Sequence, residues 1–304
     1  MEINISLSNW SVGEALIPSE EEGLNVKLEE TPGCYKPQEE PAPFVFFIDG
    51  VRRTEAVIAF QRPDSSKVYN GIFVSLCAGA IAVRHGNINL IKDSLFYFEQ
   101  KKYLFTNFEQ IPADLEQKIH LSGFEPRVVN QDLNLEIANQ LRLCELNTAI
   151  KAVEESSKYQ DSIVICDGPL DYDLSNTFCI GIIKNSRRAF VEPEILSKLK
   201  KGERSHIFVL LKDEKPYKYS WYVKLREGGL ENLIRLEVFI CDRKTLYRLV
   251  NASTYMLPLM SSNPFQDQRS PQNLLPISAL ERFLRYYLGS YGIIRSNIIK
   301  TFRA

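Results

Sequence analysis

Two apolar runs that each end in an Asp-Gly pair constrain the fold of this chain more than any other feature. In "FVFFIDG" Asp49 follows five apolar residues, and in "SIVICDG" Asp167 follows four. Unbroken runs rich in Val, Ile and Phe are typical of buried strands. Asp-Gly is a favoured turn dipeptide and Asp caps helices well, so a structural role explains either aspartate taken alone. Two such aspartates in one chain weaken that explanation.

The two aspartates can share a site if their strands are neighbours. When two parallel strands lie side by side, their carboxyl ends meet at one edge of the sheet, and Asp49 would then approach Asp167. Carboxylates held within about 5 Å repel each other unless a cation lies between them, and Mg²⁺ or Mn²⁺ prefers oxygen ligands. Such clusters serve phosphoryl transfer. The pattern therefore predicts a divalent-metal site.

A long amphipathic helix is predicted between the two strands, and it offers a third carboxylate. The stretch "DLNLEIANQLRLCELNTAIKAVEES" places its apolar residues at helical spacing. Its candidate carboxylates are Glu136, Glu145, Glu154 and Glu155. Most helical glutamates are solvated surface residues, but Glu145 lies at the edge of the apolar face and is therefore preferred. The apolar residues around it are Leu141, Cys144, Leu146 and Ala149.

The order of the predicted elements indicates an α/β fold with a mixed sheet. Apolar runs broken by turn residues predict antiparallel strands at the start of the core, and strand-helix-strand alternation follows around "SIVICDG". Three later runs, "HIFVLLKD", "YSWYVKL" and "LIRLEVFIC", predict an additional β-rich segment. The stretch "PISALERFLRYYLG" predicts a C-terminal helix.

The acidic N-terminus is predicted to lie outside the main domain. Residues 1–43 contain "SEEEG" and "QEEPAP", an acidic and proline-containing composition that indicates an irregular arm. The main domain then covers residues 44–304, with a helical insertion at about 107–160.

Composition limits the possible partners. The chain has 37 Lys and Arg against 38 Asp and Glu, so nucleic acid must be bound by a local basic patch rather than by overall charge. The six cysteines lack metal-ligand spacing, which favours reduced thiols. No segment approaches the ~20 apolar residues of a membrane span, so a cytoplasmic protein without a membrane partner is expected. No Gly-rich phosphate loop follows a strand, which argues against a nucleotide-binding enzyme.

Taken together and in this order, the motifs resemble the NurA nucleases of prokaryotes. The motifs are "FFIDGVRRTEAVIAF", "LRLCELNTAIKAVEES", "SIVICDGPL", "CIGIIKNSRR" and "DQRSPQNLLPISALERFLR", and they cover residues 44 to about 290. The resemblance implies an RNase H-like sheet flanked by helices and a nuclease that hydrolyses DNA with Mn²⁺ or Mg²⁺. It also implies a homodimer docked on a HerA-type hexameric ATPase, acting in DNA end processing or phage defence.

The resemblance also assigns roles to residues. Asp49, Glu145 and Asp167 would bind the metal, and Lys184 would approach the phosphate. The C-terminal helix of the family usually supplies a His, and here Glu281 stands at or beside that position, with Asp267 in the segment before it. Contacts to the DNA strand are expected from the basic residues that follow the two catalytic strands, namely Arg52, Arg53, Lys184, Arg187 and Arg188.

Other interpretations remain open at this point. An RNase H-like module without full metal binding could serve as an adaptor or structural partner of a motor ATPase, and the absence of the family's His favours that alternative. Lys184 could be a solvated lysine at a strand end. Glu281 could be a first-turn acid that stabilises the helix N-terminus electrostatically.

Overall fold

The structure is a computed structural model of the chain. It describes residues 4–8, 24–38, 42, 44–61, 66–84, 95–130, 132–170, 172–175, 177–184, 188–262 and 272–303. Within these ranges, thirteen strands form one sheet and six α-helices pack around it. None of the helices in the described part of the chain is both long and apolar enough to cross a membrane.

The elements follow one another in a mixed order of strands and helices. The strands are β1 (Asn4–Ser8), β2 (Asn25–Leu28), β3 (Cys34–Tyr35), β4 (Phe44–Gln61), β5 (Val68–Arg84), β6 (Leu95–Thr106), β7 (Glu125–Val128), β8 (Ile163–Asp167), β9 (Cys179–Ile183), β10 (Arg204–Ser205), β11 (Phe208–Lys212), β12 (Lys215–Lys224) and β13 (Leu233–Phe239). The helices are α1 (Ala113–Leu121), α2 (Leu133–Ser156), α3 (Pro193–Lys198), α4 (Arg243–Met256), α5 (Leu275–Tyr287) and α6 (Tyr291–Arg303).

The centre of the sheet has the order β6-β5-β4-β8-β9. Strands β4, β5 and β6 are antiparallel neighbours, whereas β8 runs parallel to β4 and β9 runs parallel to β8. Helix α2 lies in the connection toward β8, because parallel strands need a long crossover. The predicted fold class, an α/β fold with a mixed sheet flanked by helices, is confirmed.

The predicted β-rich segment and C-terminal helix are also present. Strand β13 pairs antiparallel with β9, and β12, β11 and β2 continue the same sheet outward. The C-terminal helix is α5, and a further helix, α6, follows after Gly289, whose φ is +80°. Neither α4 nor α6 was predicted.

The described parts of residues 1–43 are not irregular, which corrects the expectation of a loose arm. Strand β1 pairs with the second half of β4, β2 pairs with β11, and β3 pairs with β10. The predicted helical insertion likewise contains a strand, β7, which extends the sheet beside β6. The domain boundary at residue 43 stays a prediction.

Strand β4 corrects the interpretation of Asp49 as a strand end. It runs without a break through Asp49 and Gly50, because β5 pairs with it along its whole length. Strand β8, however, pairs with β4 only as far as Ile48 opposite Cys166. Asp49 therefore lies where the parallel pairing ends, not where its strand ends.

The two faces of the sheet carry different helices. Phe47 and Val51 of β4 belong to the same core cluster as Leu280 and Leu284 of α5. Phe46 and Ile48 belong to a cluster with α2 residues such as Ala149. Because side chains alternate along a strand, Asp49 faces the side of α5 and Gly50 faces the side of α2.

Candidate active site

The structure brings Asp49 and Asp167 to one place in the sheet. Ile48 of β4 and Cys166 of β8 are the last paired residues of these two parallel strands. Asp49 and Asp167 directly follow them. Phe47 and Ile165, two positions earlier in each strand, both contribute to the core on the α5 side. The alternation of side chains along a strand places both aspartates on that same side. The predicted parallel arrangement of the two Asp strands is confirmed.

Asp49 is a buried carboxylate with an unsatisfied oxygen. Its side chain is 7% exposed, its Oδ1 accepts a hydrogen bond from the Gly50 N–H at 2.8 Å, and its Oδ2 has no hydrogen-bond partner in the described part of the chain. Burial raises the pKa of Asp49 well above its usual range, and the nearby carboxylates of Asp167, Glu145 and Glu281 raise it further. Burying a carboxylate oxygen without a partner lowers the stability of the folded state unless a proton or a cation binds that oxygen.

Glu145 reaches the aspartates from α2, on the opposite face of the sheet. A Cβ atom placed on Gly50 would lie 2.9 Å from Glu145 Cγ and 2.9 Å from Leu141 Cδ1, and closer still to Glu145 Oε1. Gly50 thus leaves the space that the Glu145 carboxylate fills. Burial raises the pKa of Glu145 to about 8, with a further contribution from Asp167, while Arg142 acts in the opposite direction.

The two glycines of the Asp-Gly pairs serve different purposes. Gly50 lies inside a regular strand and is needed because a side chain would collide with Glu145. Gly168 has a φ of +127°, a backbone conformation that L side chains rarely adopt, and its N–H donates to the Ile182 carbonyl at 3.0 Å. Only the second pair needs the conformational freedom of glycine.

The other candidate glutamates of α2 have surface partners. Glu154 pairs with Lys151 at 3.3 Å and Glu155 pairs with Lys158 at 2.5 Å. Glu136 accepts a hydrogen bond from the Gln140 amide at 3.0 Å. Glu145 is therefore the helix carboxylate that the structure brings to the two aspartates, as its position beside the apolar stripe indicated.

Lys184 is held by two side chains rather than lying free in solvent. Its Nζ is 2.5 Å from Asp167 Oδ2 and donates to Asn273 Oδ1 at 3.0 Å. Asn273 is buried and also donates to the Ser278 hydroxyl at 2.8 Å, at the start of α5. The ordinary interpretation of Lys184 as a solvated strand-end lysine is therefore wrong.

Glu281 lies in the second turn of α5, and no acidic residue occupies the first turn. The interpretation of Glu281 as a first-turn acid is therefore wrong. Its charge is one of those that raise the pKa of Asp49, and α5, which carries Glu281, packs on the side of the sheet that Asp49 faces. On the same helix, Tyr287 is 37% exposed and stacks on Phe98 with ring centres 4.2 Å apart.

The expected DNA-contacting residues differ in their surroundings. Arg53 donates to Glu55 Oε1 at 2.9 Å and to the Gly289 and Leu288 carbonyls at 2.9 and 3.2 Å, so it holds the end of α5. Arg52 is half-buried, and Arg188 is exposed and donates to a backbone carbonyl at 3.2 Å. Arg187 and Asp267 lie outside the described residues. A role of these residues in DNA binding stays a prediction.

A buried ion network, which no sequence motif indicated, fixes the segment that follows Asp167. Lys218 Nζ lies 2.7 Å from Glu237 Oε1 and donates to the Leu170 carbonyl at 2.9 Å. Glu237 Oε1 accepts in turn from the Leu170 N–H at 3.0 Å, and Arg235 lies 3.2 Å from Glu237 Oε2. Both backbone groups of Leu170, three residues after Asp167, are therefore tied to neighbouring strands.

Two of the candidate carboxylates, those of Glu145 and Asp167, border a small cleft. The cleft has a volume of about 80 Å³, and Arg142, Glu145 and Asp167 are among the residues that line it. Its oxygen ligands and the unsatisfied Asp49 Oδ2 fit Mg²⁺ or Mn²⁺. In the part of the chain that the structure describes, however, no three His, Cys, Asp or Glu side chains are arranged to hold a metal ion as they stand.

Comparisons with known proteins give a likeness to solved structures but no match of sequence. No protein-family model and no curated protein sequence matches the chain. Among solved structures it is similar to the NurA nuclease from Sulfolobus solfataricus, with a TM-score of 0.48 and 14% identity over 88% of this chain and 85% of that chain. Values this low assign neither residue roles nor an activity, so membership of the NurA family stays a hypothesis.

Proposed function

We propose that the protein is a divalent-metal-dependent DNA nuclease. The observation that carries the proposal is the buried Asp49 carboxylate, whose Oδ2 lacks a partner among the described residues and lies beside the end of the strand that carries Asp167. Carboxylates concentrated in this way are stable as anions only when a cation joins them. Asp49, Asp167 and Glu145 would hold Mn²⁺ or Mg²⁺, and Glu281 would complete the ligand set.

In this proposal, side chains of the protein would position the phosphate while the metal ion activates water. A bound divalent ion would supply a low-pKa water and stabilise the leaving oxygen of a phosphodiester. Lys184, oriented by Asp167 and Asn273, places an ammonium group at the edge of the carboxylates, where it can approach a phosphate oxygen. Arg142 contributes a second positive charge to the cleft.

Nuclease assays on labelled linear DNA with Mn²⁺ test this proposal. Wild-type protein should cleave, and Asp49→Asn and Glu145→Gln should not. Glu154→Gln is the matched control, because Glu154 lies on the same helix but pairs with Lys151 at the surface. Calorimetry of Mn²⁺ binding provides a readout that does not depend on turnover. Equal cleavage by Asp49→Asn and wild-type protein would refute the assignment of the site.

A second candidate function is a catalytically weakened RNase H-like module, without full metal binding, that serves as an adaptor or structural partner of a motor ATPase. The observation that favours it is the Lys184–Asp167 ion pair, which already neutralises one carboxylate, together with the absence of a ready three-ligand arrangement among the described residues. Wild-type protein that neither binds Mn²⁺ in calorimetry nor cleaves DNA would establish this alternative.

The expected partners are a HerA-like hexameric ATPase and a second copy of this chain, in DNA end processing or phage defence. These partners rest on the resemblance of the motifs. The apolar strands β11 to β13 do not argue for a dimer, because Phe208, Trp221 and Leu236 are fully buried within one chain. Light scattering at micromolar concentration tests the homodimer, and co-purification with the cognate translocase tests the ATPase.

A further inference from the structure

The C-terminal segment is strongly basic in a chain that is otherwise balanced in charge. From Arg282 to the last residue there is no Asp or Glu, whereas the whole chain has a net charge of −1. The basic residues of this segment are Arg282, Arg285, Arg295, Lys300 and Arg303. Arg282 and Arg285 are exposed on α5, the helix that also carries Glu281. Part of this positive charge therefore lies on the helix that faces the candidate active site.

Three aromatic rings form an exposed group at the end of the same helix. Tyr286 is 80% exposed, Phe98 is 40% exposed and Tyr287 is 37% exposed. Tyr287 stacks on Phe98 with an angle of 19° between the rings, and Tyr286 meets Tyr287 edge-on at 5.7 Å. We call Phe98, Tyr286 and Tyr287 the aromatic platform. Single exposed aromatic residues are ordinary, whereas a contiguous group of them marks a binding surface.

The aromatic platform lies on the same side of the sheet as Asp49. In the register of the sheet, Asp49 lies opposite Gly79 of β5, and Gly79 lies opposite Phe98 of β6. A Cβ atom on Gly79 would lie 2.8 Å from Leu284 Cδ2, so α5 packs directly over this row. Two strand spacings separate Phe98 from Asp49, a distance of about 10 Å, comparable with one to two nucleotides of an extended strand.

We propose that the aromatic platform stacks against unpaired bases of the DNA strand that enters the active site. This inference rests on the proposed nuclease function and adds to it a stacking surface beside the candidate active site. Arg282 lies four residues before Tyr286 and so shares its face of α5, where it can meet the phosphates that accompany a stacked base. Aromatic rings beside basic groups bind single strands without base preference, because every base has a flat face.

The charge of the segment favours DNA over a second copy of the chain. In a two-fold symmetric contact the same patch meets itself, so Arg282 and Arg285 would face their own copies. Like charges brought together in this way oppose association, whereas the phosphates of DNA neutralise them. The exposed tyrosines are therefore better matched to a nucleic acid than to self-association.

Fluorescence anisotropy with short oligonucleotides tests the proposal in the Asp49→Asn background, where cleavage is silenced. The probes are a labelled fifteen-residue thymidine oligonucleotide, an abasic oligonucleotide of the same length and the corresponding duplex, all measured without divalent metal. Tyr286→Ala should weaken binding of the thymidine probe about tenfold and leave binding of the abasic probe unchanged. Tyr286→Trp should restore the affinity. The thymidine probe should also bind more tightly than the duplex.

The matched control is Phe178→Ala. Phe178 is 51% exposed and precedes β9, so it lies near the amino-terminal ends of the parallel strands, away from Asp167. This variant should bind all three probes as the background protein does. Equal losses on the thymidine and abasic probes, or a change in oligomeric state in place of a change in affinity, would overturn the proposal. Wild-type protein that binds the thymidine probe but cleaves no DNA would refute the nuclease function. The proposal that the aromatic platform binds unpaired bases would still hold.

Discussion

Lys184 Nζ lies 2.5 Å from Asp167 Oδ2, and this ion pair places a cation inside the chain beside the candidate metal ligands. Both side chains are largely buried, with 20% and 14% of their surfaces exposed. The amide oxygen of Asn273 holds Lys184 from the other side at 3.0 Å. Lys184 therefore offsets part of the repulsion among the carboxylates when no metal is bound.

Lys184→Met should lower the stability of the metal-free protein and increase the rise in Tm that Mn²⁺ produces. Loss of a largely buried, charged hydrogen bond costs about 1–3 kcal/mol of the free energy of unfolding. Because Mn²⁺ can replace the missing positive charge, the rise in Tm on adding Mn²⁺ should be larger in the variant than in the wild type. Lys118→Met, at an exposed helical lysine, is the control. An identical Mn²⁺-induced shift in all three proteins would contradict this role.

Asp49→Asn and Asp167→Asn should both abolish cleavage but differ in stability. Asp49→Asn removes a buried group that other carboxylates repel, so the Tm of the metal-free protein should hold or rise. Asp167→Asn also removes the ion pair with Lys184, so its Tm should fall. Thermal unfolding in EDTA measures the Tm of both variants. Equal changes in Tm would contradict the predicted difference between them.

Glu145→Gln should remove a pH dependence of stability. The pKa of Glu145 is raised from 4.5 to about 8, so the unfolded chain loses this proton first as pH rises. The contribution of Glu145 to the free energy of unfolding therefore falls between about pH 4.5 and pH 8 and is constant above that range. Urea unfolding in EDTA at pH 5 and pH 8 should show wild-type protein losing stability relative to Glu145→Gln. Glu154→Gln should track the wild type at both values.

Glu281→Ala should weaken metal binding and cleavage together. If Glu281 completes an all-oxygen ligand set, its loss should raise the half-saturating Mn²⁺ concentration by about tenfold or more. Cleavage measured across a Mn²⁺ titration gives this concentration, with Glu154→Ala as the control. An unchanged half-saturating Mn²⁺ concentration would exclude Glu281 as a metal ligand and make Asp267 the next candidate.

Glu237→Gln should destabilise the fold and impair the site. The change leaves Lys218 and Arg235 buried without their anion, and breaking a buried ion pair from one side costs about 3–5 kcal/mol. It also weakens the hold on Leu170, so cleavage should fall at temperatures where the variant remains folded. Glu194→Gln, at an exposed position, is the control. Urea unfolding that differs from wild type by less than about 0.5 kcal/mol would contradict the prediction.

Much of the candidate site could be predicted from the sequence, because its signals are local. The apolar runs before Asp49 and Asp167 fix two buried strands, and helical spacing places Glu145 beside the apolar face of α2. These patterns depend on residues within a few positions of one another. They are readable without knowledge of the fold.

Other features depended on contacts between distant segments. The sequence suggested that β4 ends at Asp49, but pairing with β5 carries it to Gln61. Helices α4 and α6 were not predicted, and the first-turn interpretation of Glu281 failed because α5 begins at Leu275, six residues before Glu281.

Hydrophobic periodicity sets local structure, so the residues that form the Asp strands and the Glu helix could be identified from the sequence alone. By contrast, the assembled fold is what brings Lys184 to Asn273, 89 residues away, and Glu237 to Leu170, 67 residues away. The fold also makes Gly50 necessary, because a side chain at that position would collide with Glu145. Hydrogen bonds, ion pairs and close packing require atoms within a few ångströms of each other, and for residues so far apart along the chain that proximity exists only after the sheet has assembled.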